Sequence, residues 1–269
     1  MGDQIQYIHS DIKRACFEEQ FFKADVFFDE HILVWLISGE TKIVENDRTH
    51  LFGAGDTLLF PRNVVAKVFN YPKDGLPHKS VTMHLKTERL QEYYHKNGNA
   101  KKPVKAPELK FETFEKHPLL ESCLSSLVPY FDLRETLPEA IASLKIVEAI
   151  HTVRKIKPEI DQVLGYFADP GKIDLANFME RNFMFNMPME KFGYLTGRSL
   201  TTFKRDFKRV FDTTPQKWLT MKRLEMAHHH IKQKNRKPAD VYLETGFENL
   251  SHFSYAFKKH FGYPPTHGG

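Results

Sequence analysis

The chain has 269 residues, 41% hydrophobic and 27% charged, with a net charge of +5. Such a length holds one large domain or two ordinary ones, and the balance excludes a mainly disordered or collagenous chain. No apolar run approaches the ~20 residues that span a bilayer, and no membrane association is expected. The opening Met1–Gly2–Asp3–Gln4 lacks the layout of a secretory signal. Cys16 and Cys123 form no C-x-x-C pair, so neither a disulfide framework nor a zinc module is supported. A reducing, cytoplasmic setting is expected. The charge is unevenly placed: residues 172–269 hold 17 Lys+Arg against 9 Asp+Glu, the rest 22 against 25. That asymmetry points to a polyanionic partner for the second part only.

The first hundred residues read as β structure. Short apolar stretches at Ile32–Ile37, Lys42–Val44, Thr57–Phe60, Val64–Phe69 and Ser80–Lys86 alternate with turn residues at Ser38-Gly39, Asn46-Asp47, Gly53–Asp56 and Pro61–Asn63. Many short strands at this spacing suggest a sandwich or barrel. Lys96–Lys110, rich in lysine and proline, reads as a solvated connection. From about Pro118 the period turns helical. After Pro138-Glu139, the positions Ile141, Leu144, Val147, Ile150 and Val153 or Arg154 form a stripe. That stripe either packs on the same chain or joins a second copy of itself. Gly165–Lys172, with Asp169-Pro170-Gly171, marks the connection between domains. Expected domains are 1–164 and 172–269, the second all-α.

The basic part contains a repeat. Phe203, Phe207, Phe211 and Pro215 recur fifty residues later as Phe253, Phe257, Phe261 and Pro265, and Leu200 recurs as Leu250. Upstream, Phe192 and Gly197 correspond to Val241 and Gly246 at an offset of forty-nine. Each copy reads as a helix, a turn with glycine, and a second helix with aromatics at i, i+4 and i+8, which is helix-turn-helix architecture stated twice. If the phenylalanines are buried, Thr201, Thr202, Lys204, Arg205 and Lys208 project outward from the second helix of copy one. Such a helix suits a major groove, early residues near base edges and later cations near phosphates. Ser199 is placed as an N-cap, beside backbone N–H groups that can receive a phosphate. In copy two the outward set is Asn249, Ser251, His252, Ser254, Tyr255, Lys258 and Lys259, less basic and so better suited to positioning. Between the copies, Gln216–Gln233 reads as one helix of ~27 Å. Successive major-groove faces lie about 34 Å apart, so one rigid chain could serve two grooves of double-stranded DNA.

The segments Gly197–Lys208 and Gly246–Gly262, followed by Pro265, closely resemble the AraC/XylS family of bacterial transcriptional regulators, over about Lys172–Pro265. The resemblance implies two helix-turn-helix units joined by a linker helix, sequence-specific DNA binding, and usually activation by contact with RNA polymerase. Gly39-Glu40 and Gly55–Pro61 resemble the cupin-like regulatory domains of this family, which implies an N-terminal cupin-like β-barrel followed by helices, an α+β two-domain chain. Leu144–Glu148 and Leu200–Phe203 look most like the activators of type III secretion genes. In that subgroup the N-terminal domain mediates dimerisation and can bind a protein regulator, which implies that control need not involve a small effector; the expected partners of the N-terminal domain are a small effector or a regulatory protein, and a second copy of the chain. Three positions depart from the family: Tyr242 where a small residue is usual, Pro238 at a helix start, and Leu250 where the family is often polar.

Other signals carry less. Successive helical positions are about 100° apart, so His228-His229-His230 cannot converge on one ion and reads as packed histidine. A metal-dependent enzyme in the barrel, the alternative function, needs a clustered His-x-His and a carboxylate, yet only His31 lies just upstream of Gly39-Glu40, and none follows Pro61 until His78. No catalytic residue, no metal and no cofactor are expected. The phenylalanine stripes read as core rather than as base-stacking platforms. Lys232–Lys237 reads equally as a solvated loop and as a phosphate contact.

Overall fold

The computed structural model describes residues 4–18, 22–45, 48–97 and 110–266. The chain divides into two compact units, Met1–Ile43 with Thr49–Ala168, and Val44–Arg48 with Asp169–Gly269. The first is sheet-rich and the second helical, as an α+β two-domain chain requires.

Among the described residues of the first unit, ten strands form two sheets. They are β1 (Gln4–His9), β2 (Ile12–Phe17), β3 (Phe22–Phe27), β4 (His31–Ser38), β5 (Glu40–Glu45), β6 (Arg48–Gly53), β7 (Thr57–Phe60), β8 (Val65–Tyr71), β9 (His78–Leu85) and β10 (Glu112–Phe114). One sheet has the order β1-β2-β9-β4-β7-β10, the other β3-β8-β5-β6. Side chains alternate across a strand, and the sequence uses both faces of the larger sheet. Leu33 and Trp35 of β4, Leu59 of β7 and Val81, Met83 and Leu85 of β9 point to the helices. Leu58 and Phe60 join Ile43, Ala66 and Phe28 between the sheets.

The helical layer comprises α1 (Thr87–Asn97), α2 (Pro118–Ser125), α3 (Val128–Leu133), α4 (Glu139–Ile156) and, after a 3-10 turn, α5 (Asp161–Leu164). Lys96 thus belongs to a helix, and residues 98–109 of the lysine-rich connection lie outside the described residues. The α4 stripe differs from the one expected. Ala142, Ile146, Ala149, Ile150 and Val153 are buried, Ile141 and Val147 lean on the same core, and Leu144 is 69% exposed. A strict three-residue recurrence drifts off a 3.6-residue helix, and alanines, not Leu144, complete the buried face. Asp11, fully buried in the β1–β2 turn, accepts from Lys86 at 2.5 Å and Arg89 at 2.8 Å. Arg89 also donates to Glu139 at 2.8 Å, tying α1 to the start of α4.

The second unit contains α6 (Leu175–Asn182), α7 (Met189–Leu195), α8 (Leu200–Phe211), α9 (Pro215–Gln233), α10 (Pro238–Glu244) and α11 (Leu250–Phe261). Residues 166–174 carry no helix or strand. Among the described residues, no helix is long and apolar enough to cross a membrane.

Candidate nucleic-acid interface

The fifty-residue repeat is a physical one. In both copies a short helix ends on a fully buried threonine whose hydroxyl turns back to bond the helix it closes. Thr196 donates to the carbonyls of Phe192 and Gly193 at 2.9 Å, and Thr245 to those of Val241 and Tyr242 at 3.0 and 3.2 Å. The next residue is glycine at positive φ, Gly197 at +64° and Gly246 at +94°. A side chain would be strained there and has no room. A Cβ on Gly197 would lie 2.4 Å from the Gly171 backbone, and one on Gly246 2.5 Å from the Met184 carbonyl oxygen. The chain then enters the second helix through a capping side chain. Ser199 accepts from the Thr202 N–H at 3.3 Å, as its placement suggests, and Asn249 from the His252 N–H at 2.7 Å.

Each second helix is fastened by its aromatic face. Phe203 and Phe207 of α8 are fully buried, Phe207 lying 4.4 Å from the Phe211 ring and 5.7 Å from Trp218 of α9. Phe253 and Phe257 of α11 are equally buried, in a cluster with Leu224, Ala227 and Ile231 of α9 and with Val241 and Phe247. These rings are core and are not available to stack on bases.

With that face fixed, the opposite one turns to solvent. On α8, Thr201, Lys204, Arg205 and Lys208 are exposed, Thr202 and Leu200 half-buried, and Ser199 exposed at the cap. On α11, Ser251, His252, Lys258 and Lys259 are exposed, Ser254 is half-buried, and Asn249 is exposed at its cap. Each helix therefore brings its own set of expected residues to one outward face. Tyr255 is the bulkiest group on the α11 surface, 67% exposed, fifty residues after Arg205. Leu250, 39% exposed, stands at the start of the same helix.

Two features escaped sequence reasoning. Asp206, facing inward from α8, is a buried carboxylate among cations: Arg198 at 3.2 Å, Arg205 at 3.4 Å, Arg209 at 3.6 Å and Lys172 at 3.9 Å. The Arg198 guanidinium, foremost among these, holds its carboxyl below the usual range. Arg198 also donates to the carbonyls of Thr196 and Ile173, so it braces the turn before α8. The other feature is Arg223 of α9, almost fully buried among backbone carbonyls.

The histidine triplet separates as helical geometry dictates. His228 stacks on Phe261 at 4.6 Å and bonds Tyr263 at 2.7 Å, His229 is exposed, and His230 is buried. Burial, then the charges of Lys234 and Arg236, lowers the affinity of His230 for a proton. Tyr242 is half-buried against the α11 core with its ring 6.5 Å from Phe253, and Pro238 opens α10 as the first helical residue. In the first unit, His31 is fully buried with Nδ1 accepting from the Arg62 N–H, and His78 bonds Thr41. Among the described residues, no three histidine, cysteine or carboxylate groups gather to hold a metal ion.

Residues 195–267 match the family model of a helix-turn-helix domain, and residues 31–159 that of the ExsA N-terminal regulatory domain. The chain is similar to the HTH-type transcriptional regulator ExsA of Pseudomonas aeruginosa, 26% identical over 236 residues, 86% of this chain and 83% of that one. It is also similar to the virulence regulon transcriptional activator VirF of Yersinia enterocolitica, 25% identical over 155 residues, 57% of each chain. Among solved structures, an apo ToxT variant from Vibrio cholerae aligns over 96% of both chains with 13% identity and a TM-score of 0.47.

Proposed function

This chain belongs to the AraC/XylS family of transcriptional regulators, and on that premise we propose how it reads DNA. Residues 172–269 are the DNA-binding domain. Its helix α8 enters one major groove of a double helix and α11 the next. Ser199, Leu200, Thr201, Thr202, Lys204, Arg205 and Lys208 form the first contact set, and Asn249, Ser251, His252, Ser254, Lys258 and Lys259 the second. The observation that carries this reading is the pair of capped twelve-residue helices, each fastened by buried phenylalanines and each with a polar outward face.

The two faces differ in chemistry. Cations on α8 suit guanine edges and phosphates, whereas the exposed Tyr255 adds one apolar group to the polar face of α11, which suits a thymine methyl. Tyr255 joins the second set on this ground. The protein acts in the cytoplasm as an activator and not as an enzyme, contacting RNA polymerase at promoters. Residues 1–164 are the regulatory and dimerisation domain, answering to a small effector or a protein partner.

The test is Lys204→Ala measured by fluorescence anisotropy on a DNA site selected by the wild-type protein. Affinity falls by about 1–3 kcal/mol and preference relaxes at one or two base pairs. Unchanged affinity and unchanged preference would refute the assignment.

A further inference from the structure

The helix α9 serves two separate cores. Trp218, in its first half, lies among Phe183, Phe207 and Phe211 of the first helix-turn-helix unit. Leu224, Ala227 and Ile231, in its second half, lie in the core of the second unit. Between the halves stands Arg223, and its guanidinium spans the seam. Nε donates to the Phe183 carbonyl at 2.8 Å and Nη2 to the Phe185 carbonyl at 2.7 Å, both just past the end of α6. Nη1 donates to the Gly246 carbonyl at 3.2 Å, in the turn of the second unit.

These acceptors are well matched. The carbonyls that follow α6 sit at the negative end of a helix dipole, where a cation is favoured. A planar guanidinium presents several donors in a fixed fork, which a lysine cannot reproduce. The backbones approach closely at this point: a Cβ on Gly246 would meet the Met184 oxygen at 2.5 Å and Arg223 Nε at 2.8 Å. Nearby, the Asn186 side-chain amide donates to Glu248 at 2.6 Å, a second polar tie between the α6–α7 loop and the second unit. Removing the guanidinium would leave three backbone carbonyls without this donor.

We propose that Arg223 is a positioning residue that locks the two helix-turn-helix units into one rigid body, so that the protein itself fixes the spacing of the two DNA half-sites. The inference rests on the DNA-binding reading above for its consequence, but the lock itself can be tested without DNA.

Full-length wild type, Arg223→Met and Arg223→Lys are each used to select sites from a randomised duplex library. Wild type enriches two half-site motifs at one separation, about 10 base pairs centre to centre. Both variants enrich the same motifs, but over about three or more separations, and their affinity for the wild-type site falls about tenfold as effective concentration drops. A single separation shared by wild type and Arg223→Lys overturns the proposal, and so does a scattered separation in wild type. A residue needed only for folding would lower affinity without widening the separation.

Spin labels at the exposed positions Lys208 and Lys258, in a background with Cys16 and Cys123 replaced by serine, give the DNA-free measurement. Wild type shows one narrow distance, and a broad or two-peaked distribution overturns the lock even if neither variant folds. If the wild-type library yields no motif, the DNA reading fails and the spin-label distance alone decides the lock.

Discussion

Replacing Phe207 with alanine tests the claim that the aromatic stripe of α8 is structural. Its ring is fully buried, with the rings of Phe203, Phe211 and Trp218 at 5.6, 4.4 and 5.7 Å. A phenylalanine-to-alanine change in such a core loses the transfer energy of the ring and leaves a cavity, together about 3–5 kcal/mol. Against a domain stability of about 5–15 kcal/mol, the variant stays folded in buffer but unfolds much earlier. The chain supplies its own reporters, because its two tryptophans fall one in each unit, Trp35 in β4 and Trp218 in α9. In a Trp35→Phe background, Trp218 fluorescence followed through a urea titration reports the helical unit alone. With a urea slope of about 2 kcal/mol/M, the midpoint drops by about 2 M. The same change at Phe211, half-buried at the end of α8, gives a smaller drop. A loss at Phe207 below about 1 kcal/mol is the usual size for a surface change, and would mean that the ring is free to meet a base.

Two further expectations concern the sheet-rich unit. Burial, with the charge of Arg62 behind it, pushes the His31 imidazole down to about 3, and burial pushes His78 down to about 4. Both lie below the unfolded value of ~6.5, so the unfolded chain takes up protons first. Stability is therefore complete above about pH 6.5 and falls as the pH drops toward 4, by up to about 1.4 kcal/mol per unit for each histidine. Urea midpoints read from Trp35 at pH 7, 6 and 5 should follow that slope, and His31→Gln should flatten it; a flat wild type would contradict the burial. Cys123 is buried and its thiol is pushed up to about 12, by burial first and Glu148 second, whereas Cys16 is half-exposed. A disulfide-exchange reagent at pH 8 should titrate one thiol in the native chain and two in urea, and two in the native chain would place Cys123 at the surface.

The helical part was the more legible in sequence, for a physical reason. A helix held by one aromatic face writes its period in large, rare residues, and Phe203, Phe207 and Phe211 recur as Phe253, Phe257 and Phe261 with little else to confuse them. The ends were legible too, since Ser199 and Pro238 carry cap and first-turn chemistry. In α4 the buried face includes Ala142 and Ala149, small residues that stand out less than Leu144 in an apolar stripe, so the stripe read from sequence puts Leu144 on the wrong side. The strands β1, β2, β3, β6 and β10 went unread because short edge or mixed-polarity strands such as Gln4–His9 lack the apolar run that marks β4. The helix α1 went unread because only Leu90, Tyr93 and Tyr94 of its eleven residues are buried. On α8 and α11, sequence named the outward residues of each helix. It missed Arg223, which acts through three backbone carbonyls. Backbone acceptors leave no residue signature, and no spacing rule joins position 223 to positions 183, 185 and 246.

Titration of the full-length protein against duplexes from upstream of its own and neighbouring genes, with scrambled competitor and at several salt concentrations, bears most directly on the reading of DNA by two helices. On the two outward faces, with Lys204 assigned to bases, the exposed cations Arg205, Lys208, Lys258 and Lys259 serve phosphates, each worth a slope of about −0.9 in log K against log salt. The predicted result is binding to one duplex that survives competitor, with a slope of about −3 to −4. Weak binding equal on every sequence, or tight binding indifferent to salt, would contradict it.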